Sequence, residues 1–221
     1  DGIIKFLPDI DFSNFPFPIE MIWTIAIGLQ SGELAQLLNF SFTLIILVWI
    51  YILSRRASID IETIIISFFL FYSISIVGHL AISGSVELGG VLFFLAGFYC
   101  LNDFIETNKV RVLVLSGLFF GIFSVVKLSN PGVIILMVPW LFINFKNTGR
   151  SLKQSFYLTV LFSATTFIMA SFWYLKSYFF TGNPFYPFFI SIFGGPLIDT
   201  NLLSWGDNNA MENQNRSFQH L

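Results

Sequence analysis

The chain predicts an all-α fold, a polytopic membrane helix bundle of about six transmembrane helices with one short interfacial helix. Three observations predict it. The 221 residues are 55% hydrophobic and only 11% charged, with a mean hydropathy of +0.77, too apolar for a water-soluble domain of this length. The apolar residues fall into runs of roughly 15–20, close to the length that crosses a bilayer. The basic residues gather in alternate loops between those runs, as membrane topology requires. The formal net charge of −2 offers no clustered basic face for nucleic acid, so no nucleic-acid partner is expected. The one cysteine, Cys100, excludes an internal disulfide and a multi-thiolate metal site.

Residues 1–17 are polar and aromatic, with Asp9, Asp11 and prolines at 8 and 16, and read as a loop. Pro18 then suits the first turn of a helix over 18–30, whose ~13 residues are too few to span and suit the interface. The spans follow at 34–53, 61–80, 87–101, 111–127, 131–145 and 154–175. The third and fifth are short, which implies snorkelling ends or re-entrant helices. The fourth carries Gly117-Leu-Phe-Phe-Gly121, a small-xxx-small pattern that lets helices approach closely. After the sixth, Trp173, Tyr174, Tyr178 and Tyr186 suit a headgroup layer, and Thr181-Gly-Asn-Pro184 breaks any helix. Three segments result: 1–33, the remainder of a first external loop with the interfacial helix; 34–178, the transmembrane bundle; and 179–221, a truncated external loop and tail. The start at Asp1-Gly2 without Met, and the end within polar sequence, predict an internal fragment of a larger protein.

With six spans, the loops at 55–60, 102–111 and 146–154 share one side. They hold seven of the eleven basic residues, Arg55, Arg56, Lys109, Arg111, Lys146, Arg150 and Lys153, which makes that side cytoplasmic. The opposite, external side collects Asp9, Asp11, Glu20, Glu87, His79, Lys127, Lys176, Asn130 and Asn183. Each has a structural reading beside a functional one. Glu87 is either a helix N-terminal acid favoured by the macrodipole or a site carboxylate. Lys127 is a snorkelling boundary lysine or a ligand for an anion. His79 is a polar cap or a metal ligand. Lys176 holds lipid headgroups or a substrate phosphate. The aromatic stripe is an interfacial belt or a platform for sugar stacking. No stretch matches a P-loop, a Ser/His/Asp set or a zinc site, so the residues alone lead to an outward-facing polar pocket on a helical membrane scaffold.

Three runs take the reading further: Pro16-Phe-Pro-Ile-Glu20, the run from Gly117 to Lys127, and Trp173-Tyr-Leu-Lys-Ser-Tyr-Phe-Phe-Thr-Gly-Asn-Pro-Phe-Tyr-Pro187. In this order the chain resembles integral-membrane glycosyltransferases of the GT-C superfamily, in the family 39, protein-mannosyltransferase and aminoarabinose-transferase-like branch. The last run is the most specific of the three. The resemblance implies a polyprenyl-phosphate sugar donor, membrane lipid as a partner, and an active face on the periplasmic side of a bacterial inner membrane. It also implies a catalytic acidic base in the first external loop, here expected upstream of Asp1, so that the base is unassigned and Asp9 and Asp11 do not inherit its role. Glu20 and Glu87 match supporting acidic positions, and Lys127 matches a lysine closing the glycine-containing span. Asn130, Lys176, Asn183, Asp9 and Asp11 are expected among the substrate-binding residues. In some relatives a divalent metal ion helps carry the phosphate, and His79 and Glu87, with Glu20, are the residues that would hold it; no other cofactor is implied. The chemistry agrees, since a lipid-phosphate leaving group needs cationic donors and an acceptor hydroxyl needs a carboxylate.

Two other classes fit the composition. A transporter or flippase half would use helices broken near Pro131 and Pro184, but needs polar groups at mid-membrane, where the sequence offers only Asn39, Thr43, Ser67, Ser73 and Ser75. A polysaccharide polymerase or ligase would share the lipid carrier and expects external arginines, of which Arg216 is the only one.

Overall fold

The computed structural model describes residues 14–29 and 32–195. Among them the chain is helical throughout: α1 (Pro18–Gly28), α2 (Gly32–Arg56), α3 (Ile61–Ser73), α4 (Ser75–Ile82), α5 (Glu87–Thr107), α6 (Val110–Val126), α7 (Asn130–Asn147), α8 (Leu152–Thr181) and α9 (Ile190–Phe193). The local chemistry accounts for the boundaries. Pro18 and Pro131 sit in the first turns of α1 and α7, where a missing N–H costs nothing. The Asp60 carboxylate accepts the Thr63 N–H at 2.8 Å and caps α3. Ser151 and Gln154 exchange side-chain and backbone hydrogen bonds at 3.1 and 3.2 Å, a reciprocal capping box that starts α8. Asn108 takes the left-handed conformation that ends α5, and Gly182, at φ +74, does the same work after α8.

This is an all-α integral membrane protein. Three of the described helices, α2, α5 and α8, are long and apolar enough to cross a membrane, and α3 with α4 make a fourth if counted as one bent span. The sequence reading expected about six. The difference lies in α6, whose 17 residues fall short of the ~20 of a full span, in α7, whose 18 residues include Asn130, Asn144, Lys146 and Asn147 at its ends, and in the 61–80 span, which breaks. There Ser73 Oγ takes the Leu70 carbonyl at 2.8 Å, Ile74 adopts an extended backbone, and α3 and α4 meet at 71°. Two helices run further than expected. The helix from Glu87 reaches Thr107, and α8 continues through the aromatic stretch to Thr181.

The chain divides into two compact units. The larger, Pro16–Trp173, is built around phenylalanine. Phe120 has Phe94, Phe123 and Phe162 around it in edge-on contacts of 5.5–6.4 Å, which use the ring quadrupole as well as area. The glycine pair predicted to bring helices together does so: a Cβ at Gly121 would lie 2.6 Å from the Thr166 carbonyl oxygen, so α6 and α8 touch backbone to backbone. The expected grouping of the 55–60, 102–111 and 146–154 loops also holds. Arg56 pairs with Asp103 at 3.3 Å and with Glu106 at 2.5 Å, and Arg150 lies over the Phe104 and Phe145 rings at 5.1 and 5.6 Å. The smaller unit comprises Asp1–Phe15 and Tyr174–Leu221, of which 14–15 and 174–195 are described.

Candidate functional site

At the other end of the larger unit, the first turn of α5 meets the end of α6 under the short helix α1. Ile19, Trp23 and Ala26 recur at helical spacing on α1 and are its buried face, and Ile19 and Trp23 pack with Val126 in a small cluster of their own. Gly89 opens the slot for this helix, since a Cβ there would lie 2.5 Å from Ile19 Cδ1. Seating Ile19 sets Glu20, one residue on, beside the start of α5. Gly90 does the same for α6: its missing side chain faces Val126 Cγ1 at 3.4 Å and Asn130 Nδ2 at 3.8 Å. The next residue after Val126 is therefore close enough to reach across. Lys127 Nζ donates to Glu87 Oε1 at 2.9 Å, and the Ser85 hydroxyl donates to Glu87 Oε2.

Three acidic and basic side chains from three helices thus share one site. The Glu87–Lys127 pair is open to its surroundings, with side chains 38% and 54% exposed, so its contribution to stability is small, about 0–1 kcal/mol. Its value is chemical. It holds a cation at a helix end, where an incoming anion can exchange for the carboxylate. Glu20 is the contrasting member. Its Oε2 is buried without a hydrogen-bond partner among the described residues. Burial pushes the carboxyl above its ordinary value of 4.5; the hydrogen bond from the Glu20 backbone works against this, and the Glu87 charge adds to it. Two carboxyl groups in one site therefore sit in different surroundings, one paired with Lys127 and one buried with its value raised.

A carboxyl whose folded value is raised binds its proton more tightly when folded, so it favours folding below the ordinary value of 4.5 and loses that advantage as pH rises through the folded value. Glu20→Gln is therefore expected to unfold at a higher temperature than wild type at pH 8. The gap should close as the pH falls towards 4.5. Thermal unfolding in detergent at stepped pH measures this, and a gap that does not change with pH would refute the burial of this carboxyl.

The other residues singled out by sequence part ways. Asn130 joins the site as a fastener: its Nδ2 donates to the Phe123 carbonyl at 2.8 Å and ties the end of α6 to the start of α7. His79 is exposed in the last turn of α4. Among the described residues no three His, Cys, Asp or Glu side chains are grouped to hold a metal ion. Lys176 and Asn183 belong to the smaller unit. Lys176 is buried and its Nζ donates to the Phe15 carbonyl at 3.0 Å. Asn183 spends its side chain on backbone, with Nδ2 donating to Phe188 and Gly194 carbonyls at 2.8 and 3.2 Å and Oδ1 accepting the Phe185 N–H at 2.9 Å. Asp9 and Asp11 lie outside the described residues. Sequence reasoning missed Ser85, whose only signal is a hydroxyl two positions before the first acid of a helix. Asn39, singled out by sequence only as a mid-membrane polar residue, reaches from α2 to the Leu80 and Ser83 carbonyls at 2.5 and 2.6 Å and secures the turn leading to Glu87.

No protein-family model, no curated protein and no solved structure matches the chain. The fold and the site define a class on their own: an integral membrane helix bundle with a mixed acidic and basic cluster at one end.

Proposed function

We propose that the chain is the membrane-embedded part of a glycosyltransferase that moves a sugar from a polyprenyl-phosphate carrier to an acceptor hydroxyl, at the periplasmic face of a bacterial inner membrane. The observation that supports this best is the Glu20–Glu87–Lys127 cluster. It combines an exposed cation with two carboxyl groups in different surroundings, one ion-paired and one buried, at the end of the bundle opposite Arg56 and Arg150. In this reading Lys127 leaves Glu87 to meet the donor's phosphate oxygens. The acceptor oxygen attacks the anomeric carbon as the bond from that carbon to the phosphate oxygen breaks. The hydroxyl proton passes to a carboxylate base, and polyprenyl phosphate departs with the electron pair. A single displacement inverts the anomeric configuration, so the product configuration is itself a check. Glu20 and Glu87 support the reaction by setting the charge around it; the base is unassigned.

Lys127→Ala and Glu87→Gln test this in membranes carrying the protein. Transfer from a polyprenyl-phosphate sugar should fall by about 100-fold in each, the cost of losing one charged group at a reacting centre, while expression and unfolding temperature stay near wild type. Full transfer by both variants would sink the proposal and return the pair to a boundary contact.

A further inference from the structure

The described part of the smaller unit, residues 14–15 and 174–195, is built inside out relative to a water-soluble domain. Its interior is polar: Asn14 Nδ2 donates to Ser177 Oγ at 2.8 Å, Ser177 Oγ donates to the Asn183 carbonyl at 2.8 Å, and Thr181 Oγ1 donates to the Ser177 carbonyl at 2.8 Å. Lys176, the only charged residue in 174–195, is buried with them. Its outside is apolar. Phe179 and Ile192 are 79% and 71% exposed, and Tyr178, Phe188, Phe189 and Phe193 are exposed as well. Exposed apolar residues in such number call for an apolar surrounding. On α8 the exposed set continues a stripe at helical spacing through Ile168, Phe172, Leu175 and Phe179, the surface that a spanning helix turns to lipid.

As far as Phe188 the backbone suits the same medium. Beyond Gly182 the chain is no longer α-helical until α9, yet every N–H from 182 to 188 has a partner within the unit. Gly182 donates to Tyr178 at 2.8 Å, Asn183 to Thr181 Oγ1 at 3.2 Å, Phe185 to Asn183 Oδ1 at 2.9 Å, Tyr186 to the Asn183 carbonyl at 3.3 Å, and Phe188 to Phe185 at 2.8 Å. Positions 184 and 187 are prolines, with no N–H to satisfy. Irregular backbone is tolerated at membrane depth only when its polar groups are satisfied without water.

We propose that residues 182–195 form a loop embedded among the acyl chains of the bilayer, folding back into lipid rather than leaving it for water. The occupant of its phenylalanine surface is the hydrocarbon of the membrane, and because no charge faces outward, anionic headgroups are not required. The inference is independent of the transferase reading.

The test uses the whole protein reconstituted in phosphatidylcholine vesicles. In a Cys100→Ala background, Phe189→Cys and Ile192→Cys carry an environment-sensitive fluorophore, with Ala57→Cys, in the turn after α2, as the aqueous reference. Nitroxide groups on lipid acyl chains should quench positions 189 and 192, and aqueous iodide should quench them several-fold less than position 57. Iodide quenching equal to the reference would put the loop in water. Insensitivity to both quenchers would mean that protein covers it. Either result overturns the proposal. Wild-type protein gives a second reading that no substitution can spoil: a photoreactive group on an acyl chain should label 185–193 as it labels the exposed Ile135 and Leu136 of α7, and labelling of α7 alone would overturn it as well.

Discussion

Gly121→Leu is expected to remove the protein from the membrane fraction almost completely. A Cβ at this position would lie 2.6 Å from both the Thr166 carbonyl oxygen and Met169 Cβ. The carbonyl is the decisive neighbour, because backbone inside a helix cannot rotate away. Gly117 makes a useful contrast. Its Cβ would come within 1.9 Å of Thr165 Oγ1, nominally a worse clash, but a hydroxyl can take another rotamer, leaving the Phe162 carbonyl at 3.0 Å. Gly117→Ala should therefore be damaging and Gly121→Leu worse. Overpacking costs about 1–3 kcal/mol where side chains can adjust, and more where they cannot. That is a large share of the ~5–15 kcal/mol that keeps a domain folded. Gly132→Ala serves as the control, since nothing lies within 4 Å of its would-be Cβ, and it should match wild type. Membrane yield and unfolding temperature of the three variants give the ranking. A Gly121→Leu protein as stable as wild type would mean that α6 and α8 do not meet at these residues.

How much of this was legible in the sequence depends on the range of the interaction. Helix starts could be read where Pro18 and Pro131 act within a few residues of themselves, whereas the Ser151/Gln154 pair that starts α8 went unread. Helix ends were misjudged where polarity was taken for a boundary. Asn102 and Asp103 suggested that a span stops at 101, but Asp103 remains helical and turns to Arg56, a partner 47 positions away. Lys176 suggested a stop near 175, but it is buried within α8, and the helix ends only where Gly182 supplies positive φ. The bend at Ser73 and Ser75 left no pattern, since both residues also fit a straight helix. The candidate site was half legible. Charges at the ends of apolar runs could be assigned to one side of a membrane, and Glu20, Glu87 and Lys127 were. Their meeting could not be read, because it depends on Gly89 and Gly90 admitting Ile19 and Val126, contacts that span 70 and 36 positions, from 19 to 89 and from 90 to 126. Asn183 was legible as a residue that is needed, while the Phe188 and Gly194 carbonyls and the Phe185 N–H that its side chain holds were not. The hydrogen bonds say what for.

Asn183→Ala is expected to open the loop while leaving the phenylalanine core of the larger unit intact. The side chain is fully buried at 0% exposure, and its removal strands the carbonyls of Phe188 and Gly194 and the N–H of Phe185. Each buried backbone group left unpaired costs about 1–3 kcal/mol. Three at once exceed what a local turn can absorb, so the segment should fray rather than persist in strain. Amide exchange at Phe185 and Phe188 should rise by about 100-fold or more, the equivalent of roughly 3 kcal/mol of local opening, with exchange around Phe120 unchanged. Asn183→Asp is the sharper variant. It keeps an acceptor for Phe185 but sets a carboxylate oxygen against two carbonyls that need donors, so at neutral pH it should exchange at least as fast as the alanine variant. Were Asn183 chiefly a ligand for substrate, both substitutions would spare exchange and alter only activity. The geometry predicts the reverse order of events: the loop is lost first, and any loss of transfer follows from it.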